Sequence, residues 1–475
     1  MTATTTGPPA GLMRQLSERV QQLSSRAGWS VEQLRTHQRR QLRSLLMHAI
    51  AHSAYYRDVL GPNAADRQLS ELPVLSKATM MTHFDDLVAD PRLRRADLDA
   101  HLAGPRAASP YLGEYRVLTT SGTSGLRAIV VLSHDEALDW IAVALRGGAE
   151  MGIGPQLRIA GIGAPGSLHV TRQLYGALEP SGSGAPTLSV LTPLPEMIAA
   201  LETYQPEVLI GYPSVAGMLA DEQLAGRLHI APRTGFYGAE RLTPGIRDRI
   251  RAAWGFEPYS VYAATEAPTI AQGTLDAGLE IVEDAVIVEV VDENNSPVPP
   301  GVPGTKLLIT NLINRAQPLI RYELTDAVTL AEDANPSGRP NRRIASVDGR
   351  TRDIVVMPSR DGHEVSIHPS AISAVFLPMP LVQQYQVMHD DQGLHVRVVL
   401  SADVTDGAAA QLLEQLRGAL ADMIAGAGAV VPPIEVMRVA AMERAAGIGA
   451  KYKLVESRVS AGTPGNHSAR SFRSA

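Results

Sequence analysis

Small hydroxylated residues and glycines are concentrated in one short stretch, VLTTSGTSGLRAIVVLS, at residues 117–133. They allow backbone N–H groups and side-chain hydroxyls to converge on a polyanion without steric obstruction. A flexible surface linker has the same composition, and the chain contains no Walker A pattern, G-x-x-x-x-G-K-S/T. The stretch therefore predicts a phosphate-binding loop only if other motifs support it. Its members are Thr120, Ser121, Gly122, Thr123, Ser124 and Gly125.

A second glycine pattern suggests a different nucleotide. The sequence AGIGAPG, with Gly161, Gly163 and Gly166, satisfies the dinucleotide fingerprint G-x-G-x-x-G after a predicted strand. Pro165 stands directly before the third glycine, and no acidic residue appears about 20 residues beyond the pattern, where a ribose-binding carboxylate is expected. The sequence therefore disfavours an NAD-dependent oxidoreductase, an alternative that rests on these glycines alone.

Further polar motifs follow in a fixed order along the chain, and each is weak by itself. They are FYGAE, YAATE, RYELTD, VDGRTRD and GIGAKYK. Their order along the chain is the informative feature. The candidate residues are Gly238, Ala239, Glu240, Tyr262, Thr265, Glu266, Asp326, Arg350 and Lys451.

The composition limits the classes of protein that could use these residues. A length of 475 residues, with 45% hydrophobic and 19% charged residues, predicts two or three hydrophobic cores. A net charge of -6 without a basic block argues against nucleic-acid binding. The absence of cysteine excludes disulfides, thiolate metal sites and a cysteine nucleophile. Because the N-terminus lacks a signal-peptide pattern and no apolar run approaches the roughly 18 residues of a membrane span, we expect a soluble cytoplasmic protein without a membrane partner.

Hydrophobic periodicity predicts the elements that position the motifs. Residues 11–60 are predicted to be helical, and from residue 115 onward strands alternate with helices, which predicts an α/β architecture with a largely parallel sheet. LEIVEDAVIVEVV and KLLITNLI, on either side of a turn, predict antiparallel strands of a β-rich subdomain. After residue 353 the alternation begins again and predicts a small α+β domain. We expect domains at 1–349 and 350–460 and a disordered tail at 461–475.

The ordered set of motifs resembles the adenylate-forming superfamily of acyl-CoA synthetases, adenylation domains and luciferases. The phenylacetate–CoA ligase-like branch is the most similar, because LRSLLMHAIAHSAYYRDVL and LSELPVLSKATMMTHFDDLV resemble its N-terminal segment. The resemblance runs from about residue 40 to about residue 458. It implies a large N-terminal domain that binds nucleotide and acyl substrate. It also implies a small mobile C-terminal lid that turns at residues 351–353 between two half-reactions.

The resemblance implies one site for ATP and Mg²⁺. The 119–125 loop would bind the β- and γ-phosphates through backbone amides and hydroxyls. Asp326 would accept hydrogen bonds from both ribose hydroxyls, and Arg350 would contact the ribose or a phosphate. Tyr262 would lie against the adenine ring, with the backbone of residues 238–240 at its edge.

The catalytic residues that the resemblance implies are Thr265, Glu266 and Lys451. Glu266 would hold Mg²⁺, which prefers carboxylate and phosphate oxygens, and Thr265 would contact the α-phosphate region. Lys451 would stabilise the five-coordinate α-phosphorus as pyrophosphate leaves, more strongly in the transition state than in the ground state. Lys453 is the alternative for this role. Arg127 stands where many relatives carry a Lys–Pro or Pro–Lys pair and would supply the loop with its cation.

The acyl substrate is predicted less directly. The resemblance places the acyl pocket beside the segments GYPS and FYGAE, whose aromatic side chains suit a flat aromatic carboxylic acid. The acceptor of the second step would be CoA. An acyl carrier protein presents the same thiol arm, and some relatives activate another oxyacid such as nitrite. A non-catalytic nucleotide-binding protein of the same fold stays open, as does a homodimer. The pocket candidates are Tyr212, Pro213, Ser214, Phe236 and Tyr237.

Overall fold

A computed structural model describes most of the chain. The described residues are 10–120, 127–153, 157–164, 170–175, 185–186, 188–348, 355–367, 369–376, 378–379, 381–401, 404–440 and 455–457.

Helices occupy the N-terminal region and then alternate with strands, as the periodicity predicts. The helix predicted at 11–60 is three helices, and the first break lies at residues 25–30, where Ser30 starts the second helix with a capping box to Gln33. No helix among the described residues has both the length and the apolar character that crossing a bilayer requires. The helices are α1 (Ala10–Ser24), α2 (Val31–His52), α3 (Ala54–Leu60), α4 (Lys77–Thr82), α5 (Phe84–Leu87), α6 (Arg95–Ala103), α7 (His134–Glu150), α8 (Val170–Tyr175), α9 (Leu194–Tyr204), α10 (Pro213–Leu224), α11 (Pro244–Trp254), α12 (Pro369–Phe376) and α13 (Asp406–Gly426).

The strands form five sheets within the described residues. The strands are β1 (Tyr115–Thr119), β2 (Ile129–Ser133), β3 (Ile159–Gly163), β4 (Leu188–Ser189), β5 (Val208–Gly211), β6 (Thr234–Gly238), β7 (Tyr259–Ala264), β8 (Ala267–Thr274), β9 (Gly278–Ile281), β10 (Val286–Val291), β11 (Lys306–Asn311), β12 (Tyr322–Leu324), β13 (Ala327–Leu330), β14 (Arg343–Asp348), β15 (Val355–Pro358), β16 (Glu364–Ile367), β17 (Val382–Asp390), β18 (Gly393–Leu400), β19 (Ile434–Arg438) and β20 (Val455–Ser457).

The largest sheet has nine strands in the order β13-β14-β9-β8-β7-β6-β5-β3-β4. From β4 to β7 the neighbouring strands are parallel, and helices α9, α10 and α11 connect them. From β7 to β13 the neighbours are antiparallel. The predicted α/β architecture is confirmed, but parallel pairing holds for one half of the sheet only, because antiparallel strands extend it beyond β7.

The segment LEIVEDAVIVEVV, predicted as one strand, divides between two sheets. β9 joins the nine-stranded sheet, whereas β10 belongs to the antiparallel sheet β10-β11-β12. Between them the chain turns, and the Ala285 and Val286 N–H groups donate to the Val282 carbonyl. The prediction of antiparallel structure is correct, and the prediction of a single strand is wrong, because side chains from elsewhere in the chain hold Asp284 in the turn.

Asp284 connects this turn to the N-terminal helices. Its buried carboxylate accepts hydrogen bonds from both Nη atoms of Arg146, at 2.8 and 3.0 Å, and from Arg26 Nη1 at 2.9 Å. His37 Nε2 lies 3.0 Å from its backbone carbonyl oxygen. Burial by itself would raise the pKa of Asp284, but the two guanidiniums outweigh that effect and hold its pKa below the ordinary value. These contacts hold the N-terminal helices against the turn between β9 and β10.

We expect Asp284→Asn to destabilise the protein by about 3–5 kcal/mol, because two buried guanidiniums lose their counter-charge. The shift of the urea-unfolding transition at neutral pH measures this loss. The matched control is Asp66→Asn, whose carboxylate is 69% exposed and pairs with Arg43, and which should cost at most about 1 kcal/mol.

The same substitution predicts a pH dependence. Since the pKa of Asp284 is lowered in the folded state, its stabilisation is present above the pKa of the unfolded carboxyl and is lost as pH falls through the folded pKa. Wild type and Asp284→Asn should therefore converge in acid. Equal urea-unfolding transitions of wild type and Asp284→Asn at neutral pH would show that the Asp284 ion pairs make no net contribution to stability.

The C-terminal region has its own hydrophobic cluster. The sheet β19-β18-β17-β20 packs with α12 and α13, and a hairpin of β15 and β16 precedes it. This confirms the predicted small α+β unit. The predicted boundary at 349/350 and the tail at 461–475 lie outside the described residues and stay predictions.

Candidate active site

The candidate residues gather where neighbouring parallel strands end. β5, β6 and β7 lie side by side and point in the same direction. Residues 212–214 follow β5, residues 239–240 follow β6 and residues 265–266 follow β7. Ligands of open α/β sheets bind outside the carboxyl ends of the strands, so this edge is where a substrate is expected.

The GAE segment leaves β6 through a strained turn. Ala239 has a φ of +64°, in the left-handed region, which costs a non-glycine residue roughly 1–2 kcal/mol. A Cβ on Gly238 would meet the Val261 carbonyl oxygen at 3.0 Å, so the close approach of β7 favours glycine there. The turn brings Glu240 Oε2 within 3.1 Å of the Ser214 N–H, which links the end of β6 to the start of α10. Strain of this kind concentrates at functional sites.

Thr265 and Glu266 form the two-residue turn between β7 and β8. Glu266 is 3% exposed, and its Oε1 accepts a hydrogen bond from the Tyr322 hydroxyl at 2.7 Å. Its backbone carbonyl accepts a hydrogen bond from Asn311 Nδ2 at 2.8 Å. Contacts from β11 and β12 therefore fix both the turn and the carboxylate.

Lys77 lies beside the Glu266 carboxylate, and the sequence did not identify it as a site residue. Its Nζ lies 3.7 Å from Glu266 Oε1, and its side chain is 14% exposed. Leu75 forms a parallel bridge with Tyr322, and Ser76 caps α4, so Lys77 begins that helix beside the carboxylate. A local signal was available, because a cation in the first turn of a helix opposes the helix dipole and indicates a role beyond helix formation.

Tyr262 and Asp326 meet in a pocket of about 170 Å³. The Tyr262 hydroxyl donates to Asp326 Oδ2 at 2.9 Å, and Asp326 is 6% exposed. Ala239, Glu240 and Ser346 also line the pocket. The sequence singled out Tyr262 and Asp326 separately, and the sheet brings them into contact.

The structure describes the two ends of the glycine-rich loop. The Thr120 N–H donates to the Ala128 carbonyl at 3.0 Å, and Thr120 Oγ1 accepts from the Ala128 N–H at 2.9 Å. These bonds close the loop onto the hairpin of β1 and β2. Seven predicted site residues lie outside the described residues, and their roles stay predictions: Ser121, Gly122, Thr123, Ser124, Gly125, Arg350 and Lys451.

The acyl-pocket candidates differ in exposure. Tyr212, Pro213 and Tyr237 are buried, and burial raises the pKa of the Tyr237 hydroxyl well above its ordinary value. Ser214 and Phe236 are half-buried, with the Phe236 ring 5.6 Å from the ring of Tyr259. The Ser214 hydroxyl oxygen is nevertheless buried, so Phe236 is the candidate with the more accessible side chain.

The donor set at Glu266 fits a magnesium ion that shares its ligands with a phosphate chain. Among the described residues, no group of three or more histidines and carboxylates could hold a metal ion. Glu266 supplies one buried carboxylate. Mg²⁺ is usually bound through one or two carboxylates together with substrate phosphates and water, which matches this arrangement.

Comparisons with known proteins agree with the geometry. The family model described as AMP-binding enzyme matches residues 115–310. The phenylacetate-coenzyme A ligase of Thermus thermophilus is 26% identical over 385 residues, which cover 79% of this chain and 82% of the relative. The phenylacetate-coenzyme A ligase of Escherichia coli is 26% identical over 426 residues, 83% and 90% of the two chains. A crystal structure of 2-hydroxyisobutyryl-CoA ligase in the postadenylation state shares the fold, with a TM-score of 0.54, 22% identity and 90% of each chain covered.

The family model and the curated relatives indicate an AMP-forming ligase, and the chain is similar to the adenylate-forming superfamily in sequence and fold. Within that superfamily it is phenylacetate–CoA ligase-like. The family predicted from the motifs is confirmed. The alternative of an NAD-dependent oxidoreductase is not supported, and Gly161 and Gly163 lie within β3 of the large sheet.

Proposed function

We propose that the protein uses ATP to activate a carboxylic acid as an acyl adenylate and then transfers the acyl group to CoA. The observation that carries the proposal is the Tyr262–Asp326 pair in a pocket at the carboxyl ends of β6 and β7, next to the Glu266 turn. Similarity to phenylacetate–CoA ligases supports an acid and CoA as substrates.

The proposed reaction has two steps. In the first, a carboxylate oxygen of the acid attacks the α-phosphorus of ATP, the bond from that phosphorus to the β-phosphate oxygen breaks, and pyrophosphate leaves. In the second, the CoA thiolate attacks the acyl carbon, and AMP leaves with the oxygen that joined it to the acid. The thiol proton goes to solvent. The protein's task is to orient the reactants and to stabilise the charge that develops on the phosphoryl oxygens.

Asp326 is proposed to bind the ribose of ATP. A carboxylate has two acceptor oxygens, one for each ribose hydroxyl. The Tyr262 hydroxyl, which donates to Oδ2, fixes the plane of the carboxyl group and holds the Tyr262 ring beside the pocket. The adenine would then lie against that ring, between it and the residue 239–240 turn.

We expect Asp326→Asn to raise the KM for ATP by about 10–100-fold, because hydrogen bonds to a charged group are lost. The diagnostic readout is the ratio of kcat/KM for ATP to that for 2′-deoxy-ATP. Wild type should prefer ATP, and the variant should lose most of that preference. The control is Glu323→Gln, whose carboxylate pairs with Lys306 instead. An unchanged ratio in Asp326→Asn would place the ribose elsewhere.

Glu266 is proposed to hold Mg²⁺ against the phosphates of ATP. When bound, the ion would neutralise charge on the phosphates and so assist departure of pyrophosphate. The chain's own contribution is to fix the carboxylate through Tyr322 and to keep it buried. Lys77, whose Nζ lies 3.7 Å from Glu266 Oε1, would add a second positive charge beside the phosphates.

The proposed acid is aromatic, because Phe236 within β6 and Tyr259 at the start of β7 form a ring pair on two of the strands that carry the candidate site. The test follows pyrophosphate release with ATP, Mg²⁺ and a panel of aromatic and aliphatic acids. CoA or hydroxylamine serves as the trap. We expect acid-dependent release, with thioester formed from CoA and hydroxamate from hydroxylamine. Failure of every acid to stimulate release would reject acid activation.

The same assay addresses the acceptor. Hydroxamate without any CoA thioester would reject CoA and would point to an acyl carrier protein. Pyrophosphate release with nitrite, but with none of the carboxylic acids, would show that the substrate is another oxyacid. The proposed setting is the cytoplasm, where ATP and CoA are available, and the proposed homodimer is tested by light scattering.

A further inference from the structure

Arg321 is a buried arginine directly before β12, and its backbone is strained. Its φ of +49° lies in the left-handed region, which is unfavourable for a residue that carries a Cβ. Its N–H donates to Thr310 Oγ1 at 3.0 Å, and its carbonyl accepts a hydrogen bond from the Leu75 N–H at 3.1 Å. Strain of this kind persists only where surrounding contacts fix the residue.

The Arg321 side chain joins two parts of the chain that are far apart in sequence. It is 4% exposed, and its Nε and Nη2 atoms donate to the two carboxylate oxygens of Glu289 on β10, at 3.1 and 3.0 Å. Its Nη1 atom donates to the backbone carbonyls of Ser70 and Leu72, at 3.1 and 2.6 Å. One guanidinium therefore holds the segment around these carbonyls against the sheet that contains β10 and β12.

The segment that Arg321 holds leads directly to Lys77. Leu75 forms a parallel bridge with Tyr322. Lys77 then begins α4, and its Nζ lies 3.7 Å from Glu266 Oε1. Tyr322, the residue after Arg321, donates to the same oxygen. Two side chains at the Glu266 carboxylate thus depend on backbone that Arg321 fixes.

We propose that Arg321 is a positioning residue that fixes the 70–76 segment and thereby holds the Lys77 ammonium group beside Glu266. The inference rests on the proposed function, in which Lys77 adds a positive charge beside the ATP phosphates. Arginine suits this role because its planar fork forms several directed hydrogen bonds at once, which the single ammonium group of a lysine does not reproduce. A buried arginine–glutamate pair is often no more stabilising than an apolar pair, so stability alone does not account for it.

The test measures kcat and the KM for ATP in acid-dependent ATP–pyrophosphate exchange by the full-length protein. Lys77→Met should raise the KM by about tenfold or more, because a charged contact with the phosphates is lost. Arg321→Lys keeps a positive charge opposite Glu289 but loses the fork, so the KM should rise by about fivefold with a smaller change in kcat. In the Lys77→Met background, Arg321→Lys should add less than about twofold, since Arg321 acts through Lys77.

The matched control is Arg146→Lys. Arg146 is another buried arginine, 11% exposed, and its fork pairs with the carboxylate of Asp284, in the turn between β9 and β10. Arg146→Lys and Arg321→Lys should both unfold at lower urea concentrations than wild type. Only Arg321→Lys should change the KM for ATP by more than about twofold, because Arg146 does not hold the 70–76 segment.

Glu289→Gln is the second variant in case Arg321→Lys does not fold. It keeps the shape of the side chain and removes the charge that orients the guanidinium, so the KM should rise by about threefold. A wild-type KM in whichever of the two variants folds overturns the inference.

Equal effects of Arg321→Lys with and without Lys77 also overturn the inference, because they would show that Arg321 acts on folding alone. A wild-type KM in Lys77→Met does so as well, since Arg321 would have no group to position. In each of these cases exchange by the wild type leaves the proposed function intact. If the wild type shows no acid-dependent exchange, the proposed function fails and the inference fails with it.

Discussion

Glutamine in place of Glu266 is expected to reduce acid-dependent ATP–pyrophosphate exchange by about 10³-fold, the upper range for loss of one preorganised electrostatic contact. The substitution keeps size and shape, so Tyr322 can still donate to Oε1. What is lost is the negative charge that would attract Mg²⁺ to the buried turn and that lies 3.7 Å from the Lys77 ammonium group. Exchange is measured at saturating acid over a range of Mg²⁺ concentrations, and part of the loss should be recovered at high Mg²⁺.

The matched control for Glu266→Gln is Tyr322→Phe. It keeps the buried ring and removes only the hydroxyl that orients the carboxylate, so exchange should fall by about tenfold or less. Exchange within fivefold of wild type in Glu266→Gln would contradict the metal role. An equal loss of exchange in Glu266→Gln and Tyr322→Phe would show that the loss comes from altered packing of the turn.

The second large effect is expected at Lys451. Lys451→Ala should lower the rate of adenylation by about 10²–10³-fold with little change in ATP affinity, because an ammonium group at the α-phosphorus stabilises the transition state more than bound ATP. Pre-steady-state formation of the acyl adenylate measures the rate, and calorimetry measures the affinity.

Lys453→Ala is the internal control for Lys451, since it removes the same charge two residues away. It should leave adenylation within a few-fold of wild type. A larger loss of adenylation in Lys453→Ala than in Lys451→Ala would assign the catalytic role to Lys453. Near-normal exchange in both would mean that the GIGAKYK segment does not deliver a lysine to the phosphorus.

Local patterns predicted most element types but not every boundary. The alternation of strands and helices after residue 115 is confirmed, and β2, which is buried on both faces, shows a continuous apolar run. The turn at Asp284 divides the segment LEIVEDAVIVEVV, which the sequence predicts as one strand. Its causes, Arg26 and Arg146, are 258 and 138 residues away in sequence. Contacts at that separation leave no local pattern.

In the candidate site, too, local motifs predict some residues, whereas contacts between residues far apart in sequence are not predicted. Tyr262, Glu266 and Asp326 lie in motifs whose order is recognisable, so their residue types and their approximate neighbourhood could be predicted. Lys77 lies far from those motifs in sequence and reaches Glu266 only because the Leu75 segment pairs with β12. The contact between the Tyr262 hydroxyl and Asp326 likewise depends on the order of strands in the large sheet.

An isotope experiment tests the central claim most directly. The acid that gives the highest turnover is labelled with ¹⁸O in both carboxyl oxygens and incubated with ATP, Mg²⁺, CoA and wild-type protein, and the nucleotide product is analysed by mass spectrometry. Attack of the carboxylate on the α-phosphorus predicts AMP that carries one ¹⁸O per thioester formed. Unlabelled AMP, or ADP with ¹⁸O in the released phosphate, would contradict that account.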